Sequence, residues 1–308
     1  MHSLATSRAR VRSNCPGAFH CAEASLKGNG RCIVFNMTKG TAKRIKQKST
    51  SATELLRLHH WNRRLAVVYL LEGVAYFLFS APFSAPVIAN YLAIDPINSS
   101  VTGHTVLSAA TRPLFNISIP GLVTVYFLVS AFAHTLLVTV YRKRYEVELS
   151  QGVNMIRWLE YMISASLMLI TIGLLSGVYD LATLIAIFAF IAIMCLLGFV
   201  TELTSRGTIP NQLAYLGVTA AGFMPWLIVA LYVFNASYYG AAHISTFVYW
   251  IYGTMFVCTA GFALNMYLRY RNIGRWTSYM YTERGFMLLS FIVKTLLAWQ
   301  VFVGILRP

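Results

Sequence analysis

The sequence predicts an all-α membrane protein, a seven-transmembrane helix bundle with its N-terminus cytoplasmic and its C-terminus extracellular. Three observations lead there. The chain of 308 residues is 57% hydrophobic and only 11% charged, with a mean hydropathy of +0.60, whereas a soluble globule carries about 25% charged residues. Seven apolar stretches reach the ~20 residues that a ~30 Å hydrocarbon core requires of a helix. Lys and Arg crowd one side of those stretches. Together these exclude a cytosolic enzyme, a disordered chain and a disulfide-stapled secreted domain. The net charge of +15 does not indicate nucleic acid, because the basic residues lie outside the apolar runs.

Residues 1–55 form a basic, Ser/Thr-rich tail, and residues 56–308 the membrane domain. Three readings of the tail stay open: a targeting segment, with its Arg-rich and acid-poor bias; a polybasic stretch, Lys43 to Lys48, at an anionic leaflet; or a disordered extension. Cys15, Cys21 and Cys32 with His20 do not match a zinc spacing. Cys195 and Cys258 lie in different spans and read as small apolar fillers.

The spans run over about Arg64–Phe83, Ile119–Tyr141, Ile156–Val178, Leu181–Leu203, Leu213–Phe234, Ser245–Leu268 and Gly285–Leu306. Turn and polar signals separate them, including Tyr179-Asp180, where Asp180 is expected to cap span four, and Thr208-Ile209-Pro210 before span five. The first loop, Ser84 to Ser118, is long for a helix connection and is expected to carry strand structure. No internal repeat is found, which disfavours an inverted-repeat transporter.

Orientation follows from the positive-inside rule. Of the 25 Lys and Arg residues, 22 fall on the N-terminal side, only Arg112 and Arg307 fall opposite, and Lys294 lies within span seven. Three Asn-X-Ser sequons, at Asn98, Asn116 and Asn235, fall on the outer side, where His104 and His243 are expected simply to be solvated. His59 and His60 belong to the basic inner edge. Cell membrane and organellar membrane fit equally well.

Ionisable groups inside a bilayer are costly, about 2.5–3.5 kcal/mol each on insertion scales, so each calls for a reason. Lys294 is ten residues past Arg284, ~15 Å deep. Glu160 lies in span three. Ser164 shares a face with Glu160, and Ser290 with Lys294, one turn apart in each case. Two readings follow. One is a buried Glu160–Lys294 ion pair joining spans three and seven. The other is a lysine that forms a Schiff base with an aldehyde, with Glu160 as counterion. Seven helices with a mid-span lysine in the last suit a retinal protein.

Asn154-Met155-Ile156-Arg157-Trp158-Leu159-Glu160-Tyr161, followed by Ser164-Ala165-Ser166-Leu167-Met168, resembles the third helix of the heliorhodopsins. Ser290 to Lys294, continuing through Ala298-Trp299-Gln300, resembles their retinal-binding seventh helix. Met194, the Gly198 to Glu202 end of span four, Pro225-Trp226 and Thr282-Glu283-Arg284 match in order as well, and the similarity covers about Trp61 to Pro308. It implies all-trans retinal on Lys294 with Glu160 as counterion. Ser164, Ser290, Tyr161, Met194, Pro225, Trp226, Trp299 and His134 would surround the chromophore or its polar network. Heliorhodopsins share the inverted topology read from Lys and Arg. Two departures stand out: Tyr69 occupies a position often held by His, and Thr259 one often held by an aromatic ring.

The resemblance implies a slow photosensor, a homodimer acting on an unidentified cytoplasmic partner, and no enzymatic activity. An outward pump usually needs a second carboxylate three turns along span three, where this chain has Thr171. The rival reading is a light-gated passive proton or cation pathway through Glu72, His134, Glu160 and Glu202. Against it, Glu72 reads as an acid bonded to neighbouring helices, and Glu202 as a partner of Arg206 or of another inner-face base. No metal-ligand cluster, phosphate-cradling loop or nucleophile triad supports a membrane enzyme.

Overall fold

Seven long helices appear among the described residues: α1 (Ala52–Phe79), α3 (Ile119–Val138), α5 (Met155–Leu175), α6 (Leu181–Ser205), α7 (Gln212–Tyr239), α8 (Thr246–Tyr270) and α9 (Tyr279–Val301). Two short helices, α2 (Pro96–Thr102) and α4 (Arg142–Ser150), lie in connections. The structure is a computed structural model describing residues 52–205, 212–240 and 245–306. The expectations for the tail to residue 51, for Arg206, for Thr208-Ile209-Pro210, for His243 and for Arg307 lie outside those residues.

The last six long helices are long and apolar enough to cross a membrane. α1 has the length, but its apolar half also carries Arg63, Arg64 and Glu72, which lowers its hydropathy. It starts ahead of its apolar run because Leu58, Asn62 and Leu65 already form a buried stripe at helical spacing. It ends at Phe79, so Ser80 to Phe83, expected within the span, lead into the sheet instead. α9 starts at Tyr279, earlier than expected, and widens into a π turn over Phe302–Leu306.

Capping residues set several starts. Ser118 Oγ accepts from Gly121 N at 3.1 Å ahead of α3, and Asn154 Oδ1 accepts from Arg157 N at 3.1 Å ahead of α5. Asp180 Oδ2 accepts from Thr183 N at 2.9 Å, capping α6 as expected. The helices pack in a ring, α1 on α3, α3 on α5, α5 on α6, α6 on α7, and α8 on α9, with α9 returning to α1. α1 and α3 approach closely at Gly73, where a Cβ would lie 3.2 Å from Phe127 Cβ. Tyr69, Tyr126, Phe127, Ile172, Ile187, Trp226 and Leu297 fill the interior. Val67, Leu71, Phe77, Phe132, Ile193 and Trp250 face outward, as expected where lipid is the solvent.

The long first loop carries the expected strands. β1 (Ser84–Ile94) and β2 (Leu107–Ser118) pair antiparallel, from Ser84 opposite Ser118 to Ile94 opposite Leu107. A bulge follows Val87, where Ile88 meets Pro113; proline has no N–H to give the ladder. The hairpin docks on the α5–α6 turn through Ile88 N to Tyr179 O at 2.9 Å. Cys195 is buried and Cys258 half-buried, both as free thiols.

Candidate functional site

α5 and α9 bring the two membrane-embedded charges together. Lys294 Nζ donates to Glu160 Oε1 and to Ser290 Oγ at 2.9 Å. Glu160 Oε1 also accepts from Ser130 Oγ of α3 at 2.6 Å. Lys294 is 2% exposed and Glu160 5%, so the pair is shielded from bulk solvent. The rings of Tyr69 and Tyr161 each lie with their centroids 5.4 Å from Nζ. Tyr126 OH donates to the Lys294 carbonyl at 3.1 Å and Tyr161 OH to the Phe286 carbonyl at 2.9 Å, pinning α9 on either side of the amine.

From Lys294 and Ser290 a cavity of about 240 Å³ opens between α5, α6, α7, α8 and α9. Its walls are apolar and aromatic: Trp158, Tyr161, Met168, Met194, Trp226, Phe256, Phe262 and Phe286. Ser164, Thr219 and Thr259 are the other hydroxyl groups there. Ser164 Oγ is buried and has no partner among the described residues. A primary amine at one end of an apolar chamber is the donor set an apolar aldehyde requires, and these residues fit retinal.

On the other side of Glu160 is a second, polar chamber of about 20 Å³, lined by Asn62, His134, Asn154, Arg157, Glu160, Tyr161 and Glu283 among others. That is roughly the room for one water. His134 Nδ1 lies 2.7 Å from Asn62 Oδ1. Asn62 Nδ2 donates to Leu58 O at 3.0 Å, which leaves Oδ1 facing the imidazole; an amide oxygen can only accept, so Nδ1 carries the proton. The imidazole stacks on Tyr69 at 5.5 Å.

On the wall of this chamber away from Glu160, Arg157 joins three helices. Its guanidinium donates to Glu283 of α9 and Glu202 of α6. Asn154 Nδ2 donates to Glu283 Oε1 at 2.6 Å, and Trp158 Nε1 to Glu202 Oε2 at 2.7 Å. The Phe286 ring lies 4.3 Å from the guanidinium carbon.

The residues expected around the chromophore divide into groups. Glu160, Tyr161, Ser290 and Lys294 meet at the amine, and Ser164, Met194 and Trp226 line the cavity, as does Thr259. Pro225 is buried within α7 but is not on the cavity wall. Trp299 is 40% exposed and stands edge-on to Phe302 at 5.5 Å. Five residues past Lys294 the helix has turned it away from the cavity. His134 lies in the polar chamber, separated from the cavity by Glu160 and Tyr161.

The expected stepping stones also separate. Glu202 is held by Arg157 of α5. Glu72 accepts from Thr295 Oγ1 at 2.9 and 3.0 Å, the bonded-acid reading, on a side of α9 that Lys294 does not share. Sequence reading missed Asn62, Ser130, Asn154, Arg157 and Glu283 as site residues. By charge alone Arg157 reads as one of the 22 basic residues on the N-terminal side. Asn154, Arg157, Glu160 and Ser164 follow one another at steps of three, three and four residues, the signal of one polar stripe.

Residues 58–306 match the heliorhodopsin family model. The chain belongs to the heliorhodopsin family. This heliorhodopsin is therefore an integral membrane protein and a light-responsive rhodopsin with a retinal chromophore. No curated protein matches it. Among solved structures it is similar to a light-driven proton pump, LR (Mac), from Leptosphaeria maculans, with a TM-score of 0.57 and 14% identity over 83% of this chain and 97% of that one. At that identity the likeness bears on the fold alone.

Proposed function

We propose that this heliorhodopsin is a photosensor that signals by changing shape at its basic, cytoplasmic end. Lys294 holds all-trans retinal covalently, Glu160 is the counterion, and the walls from Ser164 to Trp226 select the polyene. Bound retinal supplies light absorption and a change of shape against these walls. Ser130 and Ser290 hold the Glu160 carboxylate and the Lys294 nitrogen in register, so that a proton displaced at Nζ stays local, within reach of Glu160 and the Asn62–His134 chamber. The Tyr161 and Phe286 rings lie between the cavity and Arg157, and any displacement of them bears on the ion cluster that ties α5, α6 and α9.

One observation carries the sensor reading over a pump. Glu160 is the one acid in α5, and Thr171, three turns on, has its hydroxyl occupied by Leu167 O at 2.8 Å. A second reading, a light-gated passive proton path, draws on the continuity of the polar chamber from Glu160 to Arg157 and Glu283. Patch-clamp of illuminated cells separates them: no current at any voltage is expected, and a light-induced current overturns the sensor in favour of the channel. Lys294→Ala is expected to leave the protein colourless with retinal. A visible band surviving in that variant removes the lysine from its role.

A further inference from the structure

The basic end of α1 presents His60, Arg63 and Arg64 around a shallow groove continued by Val67 and Val68. His60, Arg63, Arg64 and Val67 are exposed, and neither arginine forms an ion pair among the described residues. Below them the same helix offers Leu70, Leu71 and Val74 to the outside, 49%, 63% and 46% exposed. Two guanidinium groups thus stand directly above an apolar strip.

Depth identifies the occupant. Glu72 is hydrogen-bonded to Thr295, the neighbour of Lys294, and so marks the middle of the bundle. Arg63 is nine residues away, ~13.5 Å at 1.5 Å per residue, close to half the ~30 Å hydrocarbon thickness. The guanidinium groups therefore reach the level of the phospholipid phosphates, and Trp61, 40% exposed, stands at the same level as an interfacial aromatic would. We propose that this groove is a binding site for one anionic phospholipid, its phosphate between Arg63 and Arg64 and an acyl chain along Val67, Leu71 and Val74.

Such a lipid would sit on a turn with a second role. Asn62, on the buried face of that turn, bonds His134 and the Tyr145 hydroxyl. Headgroup binding therefore steadies the segment that holds one wall of the polar chamber.

The full chain, reconstituted in phosphatidylcholine vesicles with a minor fraction of spin-labelled phosphatidylglycerol, tests the proposal by the amount of immobilised label. Wild type is expected to prefer phosphatidylglycerol over labelled phosphatidylcholine, by about fivefold for each arginine engaged. That preference should fall as salt rises. In Arg63→Gln/Arg64→Gln it should disappear while the visible spectrum, the check on folding, stays as in wild type. Equal retention of both lipids by the wild-type protein overturns the site, as does a preference unchanged in the double variant. Displacement of the lipid by free inorganic phosphate would mean a soluble-anion site. A photo-cross-linker at Val67 that yields a protein–protein adduct would give the groove to a second copy. Either result overturns the lipid assignment.

Discussion

Replacing Arg157 tests whether the cluster at the basic end is a self-compensated unit. Its side chain is 4% exposed and bridges Glu202, 10% exposed, and Glu283, 1% exposed. In Arg157→Gln two neighbouring carboxylates stay buried without a cation. Breaking a buried pair by removing one partner costs about 3–5 kcal/mol. The upper part of that range is expected, because the two carboxylates also repel each other and Glu283 keeps only Asn154 Nδ2. At about 1.4 kcal/mol per tenfold, that is a loss of stability of about a thousandfold. The triple variant Arg157→Met/Glu202→Gln/Glu283→Gln removes every charge together and is expected to lie within about 1–2 kcal/mol of wild type, since neutral replacement of a whole buried network is often tolerated. Loss of the visible band on titration with denaturing detergent measures both. A single variant costing no more than an exposed ion pair, about 1 kcal/mol or less, would refute the reasoning. So would a triple variant as damaged as the single one.

Three further outcomes are expected. Glu160→Gln takes away the carboxylate that stabilises positive charge near Nζ, so the charged pigment should absorb at longer wavelength; an unchanged spectrum and colour titration would exclude Glu160 as counterion. Gly222→Ala places a methyl 2.5 Å from Met194 Sδ, which drives that thioether into the cavity, so retinal uptake should slow and the absorption maximum shift, and identical uptake and colour would count against Met194 as a wall. In the first loop, the backbone N–H and side chain of Asn98, then the N–H of Ile97, hold the Asp95 carboxyl below the usual aspartate range. A depressed value adds stability that is complete above the unfolded pKa, near 3.9, and is lost as pH falls through the lower folded value; faster amide exchange over residues 96–102 at acid pH, abolished in Asp95→Asn, would report it.

The two embedded charges were legible because a bilayer makes Lys294 and Glu160 anomalous in any apolar run. The cap at Asp180 and the strands of the first loop were legible from local chemistry and loop length. Trp299 and Pro225 were less so. A motif shared along a helix says which residues travel together, but rotation by 100° per residue decides which of them reaches the cavity. Glu202 illustrates another limit, since its partner by local spacing would be Arg206, whereas Arg157 arrives from another helix.

Composition, run length and the spacing of charges determined that this chain enters a membrane as a helical bundle and that two ionisable groups within it need each other. Those properties are one-dimensional, set by the transfer of each segment from water to hydrocarbon. Only the packed helices decided that Ser130 and Ser290 complete the amine site, that His134 faces Asn62 in a separate chamber, and that Arg157 binds two carboxylates. Such pairings join residues up to 126 positions apart. They depend on how helices rotate and approach one another, which transfer energies along the chain leave undetermined.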